Sequence, residues 1–76
     1  LLHAAGMFGR KDVAEFLIAK GADVNAKDNN VETALDWAVF VYDWEQPEVK
    51  AAKKETANLL RKHGGKTAEE LKAEGK

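Results

Sequence analysis

Apolar and polar residues recur with helical spacing along most of the chain. An apolar run from Leu2 to Phe8 stops near Gly9, and a second from about Asp12 to Lys20 carries Val13, Phe16 and Leu17 as its stripe. Gly21 follows where a left-handed C-terminal cap is wanted. The stretch TALDWAVFVYDW, Thr33 to Trp44, is apolar on two sides when read as a helix. Leu35, Ala38, Val39 and Tyr42 form one stripe, and Trp37, Phe40, Val41 and Trp44 form another on the opposite side. Leu35, Ala38 and Val39 are expected in the core, with Trp37 between packed units. A long helix is predicted from Pro47 to the Gly64-Gly65 stop, buried along Val49, Ala52, Thr56, Leu59 and Leu60. Its ends carry Glu48 and Arg61-Lys62-His63, the signs that suit a helix dipole. Two capping boxes mark further starts: Thr33 with Asp36, and Thr67 with Glu70 ahead of a short tail helix carrying Leu71. The intervening GADVNAKDNN, from Gly21 to Asn30, is polar and turn-rich.

The pattern repeats. Leu2-His3-Ala4-Ala5 aligns with Leu35-Asp36-Trp37-Ala38 at an offset of 33 residues, and the run Glu15–Gly21 aligns with Asn58–Gly64 at an offset of 43. The second unit therefore holds ten extra residues, placed around Trp44 to Lys54.

These residues carry a resemblance to ankyrin-repeat proteins, specifically the C-terminal end of such an array. The period near 33, Leu2-His3-Ala4-Ala5 as the end of a T-P-L-H-x-A pattern, the GADVNAKD run and the closing LLRKHGG support it. The resemblance implies an all-α fold of ankyrin-type stacked helix pairs, an α-solenoid fragment with turns projecting as fingers. The expected division is a partial repeat over 1–27, a repeat with insertion over 28–65 and a capping tail over 66–76. The insertion is expected to lengthen both helices of the last repeat. Three departures from the family pattern bear on the turn and helix start. Val31 stands where the family has a turn glycine, and a β-branched residue resists positive φ, so a differently shaped or strained turn is expected. Ala34 replaces a proline and Asp36 a histidine. His3 matches the family position whose ring supports the helix start.

The composition narrows the chemistry. The chain has 76 residues, enough for one domain, and no cysteine, which excludes disulfides and cysteine-based zinc sites. Twelve basic and 13 acidic residues give a formal charge of −1, with no electrostatic footprint for nucleic acid or an acidic membrane. No window nears the roughly 20 apolar residues of a membrane helix. The chain opens on Leu1 rather than Met, so its natural start is expected upstream, and a cytoplasmic setting is expected. No serine or cysteine offers a nucleophile; the two histidines, His3 and His63, read as helix-end groups. Asp23, Asn25 and Asp28 lack the spacing of a calcium loop and read as residues that bond their own turn. Gly64-Gly65-Lys66-Thr67 lacks the earlier glycine and the preceding strand of a phosphate loop. The run Lys50–Glu55 reads as a solvated helix face. No cofactor, no metal and no catalytic activity is expected.

The family resemblance implies a protein–protein interaction module. The expected contact residues are Lys27, Asn29, Asn30 and Glu32 in the finger. Met7, Phe8, Phe40 and Val41 join them at positions that face the concave surface in the family, with Trp44 from the insertion. Leu1, Leu2 and part of the Val13/Phe16/Leu17 stripe are expected to lie bare on the N-terminal side, which points to a homo-oligomer, most simply a dimer, or to a longer array. The alternative function is a structural C-terminal cap with no partner of its own.

Overall fold

The computed structural model describes residues 2–75, and every regular element among them is a helix. They are α1 (Leu2–Phe8), α2 (Lys11–Ala19), α3 (Ala34–Val39), α4 (Pro47–Lys62) and α5 (Ala68–Ala73). α1 and α2 form one hairpin and α3 and α4 the next. The first hairpin lies against the second, with α1 on both α3 and α4 and α2 on α4.

The core between the hairpins is built of small residues around three leucines: Leu2, Ala5, Ala14, Ala34, Leu35, Ala38 and Leu60. Small side chains let the helix axes approach, and Gly6 takes this furthest. A Cβ at Gly6 would sit 2.4 Å from the Ala34 carbonyl oxygen, so only glycine fits where α1 crosses the start of α3. Leu2, expected to be bare, is buried in this cluster; Leu1 lies outside the described residues. The buried face of α2 is Ala14 with Leu17 and Ile18, one residue along from the expected stripe. Both rows satisfy the same helical spacing. The row containing the small Ala14 is the one that lets α2 pack closely, leaving Phe16 60% exposed and Val13 at the surface.

Both capping boxes form: the Thr33 hydroxyl accepts from the Asp36 amide and the Thr67 hydroxyl from the Glu70 amide, with each acid returning to its cap amide. α3, however, ends at Val39, and Phe40 is extended at φ −80°, ψ 115°. The insertion therefore lengthens only the second helix of the second repeat, α4 at 16 residues against 9 in α2, and adds the non-helical segment 40–46, which turns at 42–45. The run Val39-Phe40-Val41-Tyr42 is compatible with the stop, because β-branched and aromatic side chains lose rotamer freedom in a helix, and Lys53 fixes it by binding the Phe40 carbonyl. Val39, expected in the core, is left half exposed by this early ending.

The loop between the hairpins is held by its acids. The Asp28 carboxylate accepts from the Asn30 and Glu32 amides at 2.9 and 3.0 Å, while the Asp28 amide donates to the Glu32 carbonyl. These bonds force Val31 to φ +61°, the family's glycine conformation on a β-branched residue. The turn keeps its shape and the valine bears the strain. Left-handed backbone costs a non-glycine residue about 1–2 kcal/mol, and glycine's looser unfolded state offsets part of the relief. Val31→Gly is expected to stabilise the fold by about 1 kcal/mol, raising Tm by ~4–8 °C in thermal unfolding followed by circular dichroism.

Candidate functional site

α1 and α3 end side by side, and the segment after α3 runs across those ends. Phe40 is extended, and residues 42–45 then turn, the Glu45 amide donating to the Tyr42 carbonyl at 3.1 Å, which gathers the three rings. Phe40, Tyr42 and Trp44 thus form a ladder: Phe40 meets Tyr42 edge-on at 4.6 Å, and Tyr42 stacks on Trp44 at 5.0 Å. Met7 and Phe8 from α1, Tyr42 and Trp44 from the ladder, and Val49 from α4 line an apolar groove of about 550 Å³. Phe8 is 60% exposed, Phe40 55% and Trp44 78%. Val41 points away, into a second groove with Ala38, Val39 and Ala57.

The floor of the aromatic groove is a buried ion pair. Lys53, expected on a solvated face, is 1% exposed and lies in the buried row of α4 with Thr56 and Leu60. Its Nζ donates to the Phe40 carbonyl at 2.8 Å, lies 2.9 Å from Glu45 Oε2, and sits 5.4 Å over the Tyr42 ring. Phe40 is the C-cap of α3, so the ammonium binds a carbonyl at the negative helix end. Glu45 also accepts from the Tyr42 amide at 2.8 Å. The Lys53 ammonium first, and then this amide, hold the Glu45 carboxyl below its ordinary value. Gly9 closes the floor from α1: at φ +66° its missing Cβ would lie 2.8 Å from the Lys53 amide nitrogen.

The finger residues lie elsewhere. Lys27, Asn29 and Asn30 are exposed, whereas Glu32 is half-buried and its backbone is engaged. The His3 ring braces this loop, with Nε2 3.0 Å from both the Ala26 and the Glu32 carbonyl oxygens and donating to them. Trp37, rather than simply filling space between units, donates its indole N–H to Asp28 at 2.9 Å. His3 is at the start of α1 and Phe8 at its end, so finger and groove occupy opposite ends of the same helices. Of the nine expected contact residues, Met7, Phe8 and Trp44 line the groove and Phe40 abuts it through Tyr42; Val41 and the finger set do not. Tyr42, not among the expected contact residues, belongs to the groove. The helical spacing of Phe40, Val41 and Trp44 masks the turn at Tyr42–Glu45 that brings the aromatic rings together.

At the other end the tail closes on the second unit. The Thr33 hydroxyl donates to the Lys66 carbonyl at 2.6 Å, and Asp36 accepts from the Ala68 amide at 2.9 Å. Where His3 donates to the next loop, its counterpart Asp36 accepts from the tail. Asn25 joins the units, donating to the Gly64 carbonyl and accepting from the Lys66 amide. Asp23 accepts from the Asn25 amide, and no metal-ligand cluster occurs among the described residues.

Paired helices stacked hairpin on hairpin, joined by a projecting loop with a histidine at its base, define a helical repeat protein. A family model for ankyrin repeats (many copies) matches residues 2–40, just over half of the chain, and the chain belongs to the ankyrin-repeat family. No solved structure matches it. No helix among the described residues is long and apolar enough to cross a membrane.

A folded-state carboxyl held low stabilises above its unfolded value and loses that contribution as pH falls through the folded one. Acidification below the ordinary glutamate value of 4.5 is therefore expected to release segment 40–46. Trp44 emission should report a transition in that range that Glu45→Gln abolishes; an unchanged transition in the variant would mean Glu45 does not hold the segment.

Proposed function

We propose that the chain is a non-catalytic protein-interaction module that captures a partner in the groove between Phe8 and the Tyr42–Trp44 pair. The observation that carries the reading is a ladder of large aromatics kept at the surface by a buried ion pair beneath it. Collapse of those rings into a core would be favourable by some 25 cal/mol for each Å² removed from water, yet Lys53 and Glu45 fix the backbone that holds them out. Exposed apolar clusters of this kind mark interaction sites, and tryptophan and tyrosine dominate the energetics of such contacts. The finger, Lys27, Asn29, Asn30 and Glu32, contributes a separate polar contact at the far end of the helices. Val13 and Phe16, bare on α2, supply the surface for self-association into a dimer. The expected setting is cytoplasmic.

Trp44→Ala and Phe8→Ala are each expected to weaken partner capture by about 2 kcal/mol, ~30-fold, with helicity by circular dichroism unchanged. Loss of helicity would place these rings in the folding core and remove the proposal. Sedimentation of the chain as a monomer at all concentrations would remove the dimer.

A second reading, a structural cap for an array, is favoured by the docking of α5. Leu71 is 5% exposed, Glu70 pairs with Arg61 at 2.9 Å, and the tail takes up Thr33 and Asp36. Deleting residues 67–76 is expected to lower the urea midpoint and to promote aggregation; a truncated chain as stable and soluble as the whole would exclude the cap.

A further inference from the structure

We infer that the open face of the Tyr42–Trp44 pair receives a lysine or arginine side chain from a basic segment of a partner protein. The inference rests on the groove being a docking site and adds the charge of what docks. Three observations carry it.

The ladder already binds one cation from within: the Lys53 ammonium lies 5.4 Å over the Tyr42 ring. Tyr42 and Trp44 are nearly parallel, 18° apart, and Trp44 at 78% exposure presents a free π-face on the outside of the stack. The electron-rich face of an indole attracts ammonium and guanidinium groups more strongly than any other side-chain ring.

The segment that carries the ladder is acidic. Segment 40–48 carries Asp43, Glu45 and Glu48 and no basic residue. Glu45 is neutralised by Lys53, whereas exposed Asp43 and Glu48 make no ion pair among the described residues. The only basic residue lining the groove is Lys53, whose charge is spent on Glu45 and the Phe40 carbonyl. Lys54 lines the other groove, beside Val41; Lys50 lines it too and acts, like Lys53, on the Glu45 carboxylate rather than on Asp43 or Glu48.

The groove also suits the stem of such a side chain. Met7, Phe8 and Val49 offer an apolar bed to the methylenes of lysine or arginine, whose head group stays at the wet rim. An acidic partner or an anionic bilayer meets two uncompensated carboxylates here and is disfavoured.

The test uses the whole chain and reads Trp44 emission, taken as the difference between the wild type and Trp44→Phe. Collisional quenching by caesium relative to iodide measures the sign of the potential at the indole. Asp43→Asn combined with Glu48→Gln should lower that ratio about twofold. Short amphipathic peptides with one apolar face and a polar face of Arg/Lys, Gln or Glu are then titrated in. The basic peptide should bind ~5-fold or more tighter than the Gln peptide, and raising salt to ~0.5 M or making the double variant should close the gap. Equal binding of the basic and Gln peptides, both lost in Trp44→Ala, overturns the charge inference and leaves the groove as a docking site. Peptide binding indifferent to Trp44→Ala, or no binding at all, overturns both. A concentration-dependent change in Trp44 emission without peptide assigns the groove to a second copy and overturns the inference.

Discussion

One ammonium group holds the end of this molecule together. Lys53 extends from α4 beneath the aromatic segment and meets the last carbonyl of α3, the carboxylate of Glu45 and the ring of Tyr42. Burying a charge is costly unless it is paired and its donors are used, and both conditions are met. Remove the carboxylate and the ammonium is stranded; remove the ammonium and the carboxylate is stranded, along with an orphan carbonyl at a helix end. The two groups therefore enforce one course for the insertion. α1 shares in this constraint, because its turn at Gly9 packs directly on the α4 backbone at Lys53. Every element that borders the groove is tied to that one nitrogen or to the backbone beside it.

The insertion gains its role from this arrangement. Ten added residues in a two-helix unit could have extended both helices and buried their extra apolar surface between them. Instead the second helix grows by about two turns and the remainder becomes a strap, turned at Tyr42–Glu45, that carries three aromatic rings. The aromatic rings are held by a backbone that cannot relax inward without breaking the ion pair. A rigid apolar surface of this kind loses little conformational entropy when a partner covers it. The finger at the opposite end is built on a different principle: carboxylates capping backbone amides and a histidine bridging two carbonyls. It is rigid in its backbone and free in its exposed side chains, which suits polar contacts.

The second unit meets a helix where the first meets a loop. In the first unit His3 donates to the carbonyls of the loop that follows it. In the second, Asp36 occupies the corresponding place and accepts an amide from the start of α5, while Thr33 supplies the donor that the histidine no longer does. Exchanging a donor for an acceptor at one position accommodates a helix start in place of another finger, since helix starts present unpaired amides. The replacement of histidine by aspartate is thus matched to the change in what comes next.

Local chemistry set α1, α2, α4, α5, both capping boxes and the turn at Val31, because each depends on residues within a few positions of one another. Thr33 with Asp36 and Thr67 with Glu70 form in the structure as their spacing predicts. Short-range pattern could not choose between two helical rows on α2 that differ by one residue; packing against α1 and α4 selected the row with the smaller side chain. Nor could it end the helix at Val39, since the helical spacing of apolar residues runs on through Trp44. That end point came from Lys53, 13 residues beyond Phe40, which in sequence is one lysine among several in a charged run. A buried charge is defined by partners brought to it from distant positions, so only the folded chain distinguishes it from its solvated neighbours. With that end point came the position of Tyr42, the separation of Val41 from the groove and the shape of the surface offered to a partner.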